Sequence, residues 1–123
     1  MGWKKNWINK AKEHFEAGKI LYEKSLYRDS LARLYYCAYS LMIAECGEAP
    51  RGRWEHKGIV KHFFKKLYNE NRINLLSEEE LELIEDFYEE RRIADYTLEN
   101  IDKMAVENYI SLTKKLFKVV NND

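Results

Sequence analysis

Leu31-Ala32-Arg33-Leu34-Tyr35-Tyr36-Cys37-Ala38-Tyr39-Ser40-Leu41-Met42-Ile43-Ala44 carries a single charge, Arg33. Three-and-four spacing puts Leu31, Leu34, Tyr35, Ala38, Leu41 and Met42 on one apolar face of a helix. Ala32, Tyr36, Tyr39 and Ile43 form a second. A helix that is apolar nearly all round is either the centre of a bundle or half of a subunit interface. A four-helix domain rarely encloses one helix completely, so the interface option is live, with Tyr36, Tyr39 and Ile43 as its candidate residues.

The surrounding segments supply partners for that helix, which is expected over about Leu26 to Cys46. A first helix is expected from about Asn6 to Lys24, with the stripe Trp7, Ala11, Phe15, Gly18 and Leu21 or Tyr22. The break Ser25-Leu26-Tyr27 is so short that the second helix should run antiparallel to the first. Gly47 is a good helix stop. Glu48 to Glu55 is the one loop of any length, and its Arg51, Arg53 and Trp54 either touch an anionic or aromatic ligand or merely solvate and anchor the loop. A third helix should span His56 to Asn69, with Ile59, Val60, Phe63, Phe64 and Leu67 inward.

Ser77 with Glu80 reads as a capping box, flanked by a Leu76–Leu81 staple, and opens a fourth helix to about Ala94. Its glutamates crowd the first turns and its arginines the last, as the helix dipole prefers. A fifth, from near Asp102 with Ile101 and Val106 as staple, carries Ala105, Tyr109, Leu112, Leu116 and Phe117 or Val120 and should fray at Asn121-Asn122-Asp123. There is no repeat, low-complexity tract or strand signal. The expected fold is all-α: an antiparallel up-and-down bundle of four to five helices in a single domain, residues 1–123.

At 123 residues the chain suits one domain. Lysine plus arginine equals aspartate plus glutamate at 21 each, so the bulk charge of a general nucleic-acid binder is missing, though a local basic patch is compatible. No apolar run is long enough to span a membrane, and the Trp- and Lys-rich start lacks the apolar core of a signal peptide, so a cytoplasmic location is expected. Cys37 and Cys46 point to nearly opposite faces of one helix, cannot pair, and read as small apolar residues in a reducing compartment.

Leu81, Ile84, Tyr88, Arg91 and Asp95 share one stripe of the fourth helix, and the stripe turns from apolar to ionic. Charges on a core-facing stripe must be buried together or open onto a cleft. Arg91 and Asp95 are therefore either an i,i+4 ion pair closing the helix end, worth a few tenths of a kcal/mol at a surface, or an anion clamp. In the clamp Asp95 orients a guanidinium fork suited to phosphate. Arg92, Tyr96, Arg33 and the Tyr35-Tyr36 pair lie near the same argument. His56, at a helix start, is either a capping or packed histidine or a base. Metal chemistry is not indicated: three residues before His14, His56 and His62 stand Ala11, Arg53 and Ile59, not glutamate, and His-Glu-x-x-His is absent. The five glycines are scattered at 2, 18, 47, 52 and 58, so no phosphate loop is present, and no Gly-x-Ser-x-Gly elbow occurs. No cofactor is expected.

Arg33-Leu34-Tyr35-Tyr36-Cys37-Ala38 resembles the R-x-Y-Y-x-A segment of HEPN-domain proteins. His56-Lys57-Gly58-Ile59-Val60 is similar to their H-K-G-hydrophobic start of helix three. Arg91 to Tyr96 resembles the R-x-x-A-D-Y signature of one HEPN-like subgroup. The blocks occur in the family's order, over about Lys10 to Val120. The resemblance implies a homodimer, which would account for the second apolar face at Tyr36, Tyr39 and Ile43. It also implies a minimal nucleotidyltransferase as partner in a toxin–antitoxin-type pair, and an RNA or nucleotide ligand. Many such proteins are metal-independent ribonucleases that use an arginine followed, after four to six intervening residues, by a histidine. Here positions 96 to 98 read Tyr96, Thr97 and Leu98, and a count from Arg92 reaches only Glu99. Tyrosine, with a pKa near 10, is a poor base at neutral pH.

Three readings follow. The leading one is a homodimer binding RNA, a nucleotide or a partner through a cleft with Arg91 as anion contact, Asp95 as orienter, and Arg92, Tyr96 and Arg33 around them. The second is an active endoribonuclease, with Arg91, Asp95, Tyr96 and His56 as candidate catalytic residues. The third is an interaction module in which Arg91 and Asp95 only staple the bundle.

Overall fold

The computed structural model describes residues 2–121, which form five α-helices and no strand. In order they are α1 (Gly2–Glu23), α2 (Tyr27–Cys46), α3 (His56–Asn69), α4 (Glu78–Tyr96) and α5 (Lys103–Asn121), with a 3₁₀ turn at Ile73–Leu75. The fraying expected at Asn122 and Asp123 lies outside the described residues. No described helix is long and apolar enough to cross a membrane.

The apolar run of α2 places it at the centre, where it packs against all four other helices. Leu31, Leu34 and Leu41 have no exposed surface, and each contributes roughly 2 kcal/mol of transfer free energy. On α1 Ala11 and Gly18 are buried as the stripe requires. Ile8 joins them, while Trp7 and Phe15 stay half-buried. A Cβ on Gly18 would stand 3.0 Å from the Leu34 side chain, so glycine permits the close approach of α1 to α2.

Residue pairing fixes the directions. Gly18 meets Ser30, His14 meets Arg33 and Tyr36, and Trp7 shares a groove with Tyr39 and Ile43, so α1 and α2 run antiparallel. Arg28 meets Ala94 and Tyr35 meets Phe87, so α4 also opposes α2. Tyr22 pairs with Glu107 and Phe15 with Phe117, which sets α5 against α1. One step departs from alternation. Tyr35 meets His56 and Glu45 meets Lys66, so α3 runs parallel to α2. The nine residues from Gly47 to Glu55 span up to about 30 Å extended, and the return from Cys46 to the level of Tyr35 covers only about 17 Å of helix. The return is pinned by Trp54, whose Nε1 donates to the Gly47 carbonyl at 2.8 Å and whose own carbonyl accepts from the Tyr39 hydroxyl. Gly47 turns the chain at a φ of 88°, where a side chain would be strained.

The Ser77–Glu80 capping box forms with both bonds, 3.1 Å and 2.8 Å. From it α4 runs two residues past the expected end, to Tyr96, so Arg91 and Arg92 sit a turn inside the helix. Its fully buried stripe is Ile84, Phe87 and Ala94, with Leu81, Tyr88 and Arg91 half-buried beside it. The rotation follows Phe87, which stacks on Tyr109 of α5 at 3.9 Å between ring centres. On α5 the core set is Val106, Tyr109, Leu112, Thr113, Leu116, Val119 and Val120, so Val106 takes the place expected for Ala105.

Under the other end of α2 lies Glu45, its side chain 3% exposed. Arg72 grips it with two bonds of 2.9 and 3.1 Å, and Lys66 lies 2.7 Å away. Arg72 also donates to the Val119 carbonyl at 2.7 Å. This buried carboxylate ties α2, α3 and α5 together. Burial pushes its pKa up, but the hydrogen bonds from Arg72 and Lys66 prevail and bring it down to about 2.

Candidate functional site

The antiparallel pairing of α2 with α4 carries Arg91 alongside Tyr35 and Tyr36, and the return loop delivers His56 to the other side of Tyr35. Between them opens a cleft of about 550 Å³ lined by Tyr35, Tyr36, Tyr39, Arg53, Trp54, Glu55, His56, Lys57, Tyr88 and Arg91. The three sequence segments that carry the family resemblance thus each contribute to one cavity.

Arg91 is held on several sides. Its side chain is 12% exposed, and Nη1 donates to Asp95 Oδ2 at 2.8 Å and to the Tyr36 hydroxyl at 3.5 Å. The guanidinium carbon lies 5.1 Å from the centre of the Tyr35 ring, 5.2 Å from Tyr88 and 5.7 Å from Tyr36. Ring faces at those distances attract a cation with about 0.5–2 kcal/mol each. Burial disfavours the charge, yet Tyr36 and Asp95 outweigh it, and the pKa lies above the ordinary arginine value. Among the described residues Nε is buried with no hydrogen-bond partner. The recorded bonds leave from Nη1 alone, so most of the fork is not committed to Asp95.

His56, the first residue of α3, stacks on Tyr88 at 4.5 Å and 19°, and its Nδ1 is 3.1 Å from the Tyr35 hydroxyl. Burial, then the cations Arg91 and Lys57, lower its pKa below 6.5 against the pull of a backbone hydrogen bond at Glu85. The ring is therefore mainly neutral near pH 7, with its two nitrogens engaged by Tyr35 and by the backbone at Glu85. Burial raises the Tyr35 phenol well above the usual range, so Tyr35 stays protonated.

The other candidates lie apart from this centre. Arg92 is exposed, 3.7 Å from Glu89 and 6.0 Å from the Tyr88 ring centre. Tyr96 is 74% exposed and does not line the cleft. Arg33 faces α1, with Nη1 3.5 Å from Nδ1 of His14, whose ring lies 5.8 Å from that of Tyr36. Of the second α2 face, Tyr36 is 41% exposed and Tyr39 half-buried, while Ile43 is 3% exposed and covered by its own chain. Cys37 is buried, Cys46 half-buried, and both are free.

Sequence reasoning overlooked one residue that holds the site together. Arg28 donates to the carbonyls of Ala94, Thr97 at 2.9 Å and Glu99 at 2.7 Å. It satisfies carbonyls orphaned where α4 ends and so fixes the turn that presents Arg91. A cation near a helix C-terminus is the expected chemistry, but it arrives from 66 residues away. Lys57, marked in the sequence only as part of the His56–Val60 block, is a further cation in the cleft wall with Arg53.

The family model described as HEPN domain matches residues 5–123. The chain is 33% identical over 105 residues to a Methanocaldococcus jannaschii protein named "Putative toxin MJ0605", an overlap covering 84% of this chain and 75% of that protein. It is 29% identical over 89 residues to "Putative toxin MJ0142" of the same organism, covering 72% of this chain and 58% of that longer protein.

Proposed function

The chain belongs to the HEPN-domain family, and on that premise we propose that it is a toxin-type protein that binds single-stranded RNA at Arg91. The observation that carries this reading is the shared seat of Arg91 and His56 on the rings of Tyr35 and Tyr88. A guanidinium that is oriented by a carboxylate, framed by aromatic faces and open to a cleft suits a phosphate with a base beside it. Two further cations, Arg53 and Lys57, line the same wall and give the local positive charge that the neutral chain lacks overall. Fluorescence anisotropy with a labelled RNA oligomer at low salt tests it. Arg91→Ala should weaken binding at least tenfold with the helical spectrum intact, and Arg91→Lys should recover only part. Equal binding by wild type and Arg91→Ala would overturn the reading.

A second reading is favoured by the neutral His56 in the cleft. There His56 takes the proton of a 2′-hydroxyl, the 2′-oxygen attacks phosphorus as the bond to the 5′-oxygen breaks, and the 5′-oxygen leaves with a proton that water relays from His56, giving a cyclic phosphate. Arg91 offsets the charge of the phosphorane. This supplies the acid/base group missing at positions 96 to 98. Cleavage that persists in chelator and is lost in His56→Ala, with binding retained, supports it.

The half-exposed Tyr36 supports a homodimer through the second face of α2, and the family supports a nucleotidyltransferase partner. Monomer mass by light scattering across micromolar concentrations would remove the first.

A further inference from the structure

We propose that the Arg91 cleft continues into a base-stacking subsite built from all three tryptophans of the chain, which takes unpaired bases of the same RNA strand. This rests on the reading of Arg91 given above. Trp3, Trp7 and Trp54 are the only tryptophans in the sequence, and all three line a second cleft of about 530 Å³. That cleft shares Tyr39, Arg53 and Trp54 with the first, so the two adjoin at those residues.

All three are half-buried, packed against the edge of the core with part of each ring left facing the cleft. They are held in place there. Trp54 is fixed by its Nε1 bond to Gly47 and by the Tyr39 hydroxyl on its carbonyl. Trp3 and Trp7 stand one helical turn apart on α1 with ring centres 6.0 Å apart and a 53° tilt. Such rings, set before a ligand arrives, lose little freedom on binding. Charge follows the same path. Arg53 stands at the junction of the two clefts, and the Lys10 ammonium lies 4.9 Å from the Trp7 ring centre, against the carboxylates Glu48 and Glu55. Aromatic faces spaced along a basic groove are what a single strand needs, since every base offers a π-face to stack.

The test uses the full chain with an adenylate dinucleotide, an adenylate hexanucleotide and an abasic hexamer of equal charge, read by anisotropy and tryptophan fluorescence. The hexanucleotide should quench the tryptophans and bind about five- to a hundredfold tighter than the dinucleotide, as one stacked base predicts. The abasic hexamer should lose most of that gain. Trp3→Ala should lose it too while dinucleotide binding is unchanged, and Trp3→Phe should restore part. Equal affinities for abasic and adenylate hexamers, or a silent Trp3→Ala, would overturn the subsite. If dinucleotide binding then still depends on Arg91, the reading of the first cleft stands alone. If the wild type binds no oligomer, both fall. Quenching that follows protein concentration instead of RNA would assign the groove to a second copy of the chain and overturn the proposal.

Discussion

The hydroxyl of Tyr35 meets Nδ1 of His56 at 3.1 Å, and the same phenol ring carries the Arg91 guanidinium 5.1 Å from its centre. One side chain from α2 thus sets the spacing between the first residue of α3 and the last turns of α4. The His56 titration reads that relationship directly. In the folded chain its midpoint should lie below 6.5, because burial and two neighbouring cations disfavour the charged ring. A lowered histidine pKa means that the unfolded chain binds more protons, so the contribution to stability is full above about pH 6.5 and is lost as pH falls through the folded value. Arg91→Gln should raise the midpoint only in part, since burial is the larger cause. Imidazole resonances followed by NMR between pH 4 and 8 check both points, and a midpoint at or above 6.5 would contradict this picture of the site.

Glu45 governs stability in a lower range. Its pKa falls from 4.5 unfolded to about 2 folded, so its contribution is full above pH 4.5 and disappears as pH drops toward 2. A shift of that size corresponds to about 3 kcal/mol. Glu45→Gln should cost roughly 2–4 kcal/mol at pH 7, because Arg72 and Lys66 are left facing a neutral group. The variant should also show a flatter stability profile than wild type between pH 2 and 4.5. Urea melts at several pH values give both quantities.

Arg28→Ala should loosen the end of α4. It strips the Ala94, Thr97 and Glu99 carbonyls of a charged donor, at a cost of about 1–3 kcal/mol. Amide exchange should accelerate over the last turn of α4 and the segment leading to α5 more than in α2. If the proposed RNA binding holds, affinity should fall with it, though Arg28 does not line the cleft. Uniformly faster exchange through the molecule would argue against a local role.

Gly18→Ala sets two effects against each other. Alanine favours helix by about 1 kcal/mol over glycine. The new methyl would stand 3.0 Å from Leu34, a side chain with no exposed surface and little room to move, and overpacking of this kind costs about 1–3 kcal/mol. Steric conflict should win, with a net loss near 1 kcal/mol in thermal or chemical denaturation. A gain in stability would show that α1 shifts freely on α2.

The fold is legible in the sequence wherever a signal is local. The all-α class, the capping box at Ser77 and the limits of α3 at His56 and Asn69 follow from periodicity and end chemistry within a few residues of each element; for α2 the pattern leaves the bundle centre and a subunit interface both open. What escapes is set at a distance. The stripe drawn through Tyr88, Arg91 and Asp95 is turned because Phe87 finds Tyr109, and α4 outlasts its expected end where Arg28 takes up its terminal carbonyls. Glu45, just beyond the apolar run, is buried because Lys66 and Arg72 return to it from 21 and 27 residues away. Tyr35, His56 and Arg91 are each marked by the family resemblance. Their convergence depends on α3 lying parallel to α2, and that in turn depends on Trp54 pinning the return loop. Loop length permits such a return without requiring it.

That return loop also divides the molecule's chemistry at a single peptide stretch. The part before Gly47 holds Tyr35, Tyr36 and Tyr39 of the cleft, and the part after Glu55 holds the imidazole, the guanidinium and Tyr88. A backbone break at the exposed tip around Glu48 to Arg51 would yield two fragments, each lacking part of the cleft. The core of α2 against α3, α4 and α5 is what would draw them together again. A nicked chain would therefore rebuild the cleft only where Tyr35 meets His56 and Arg91 again.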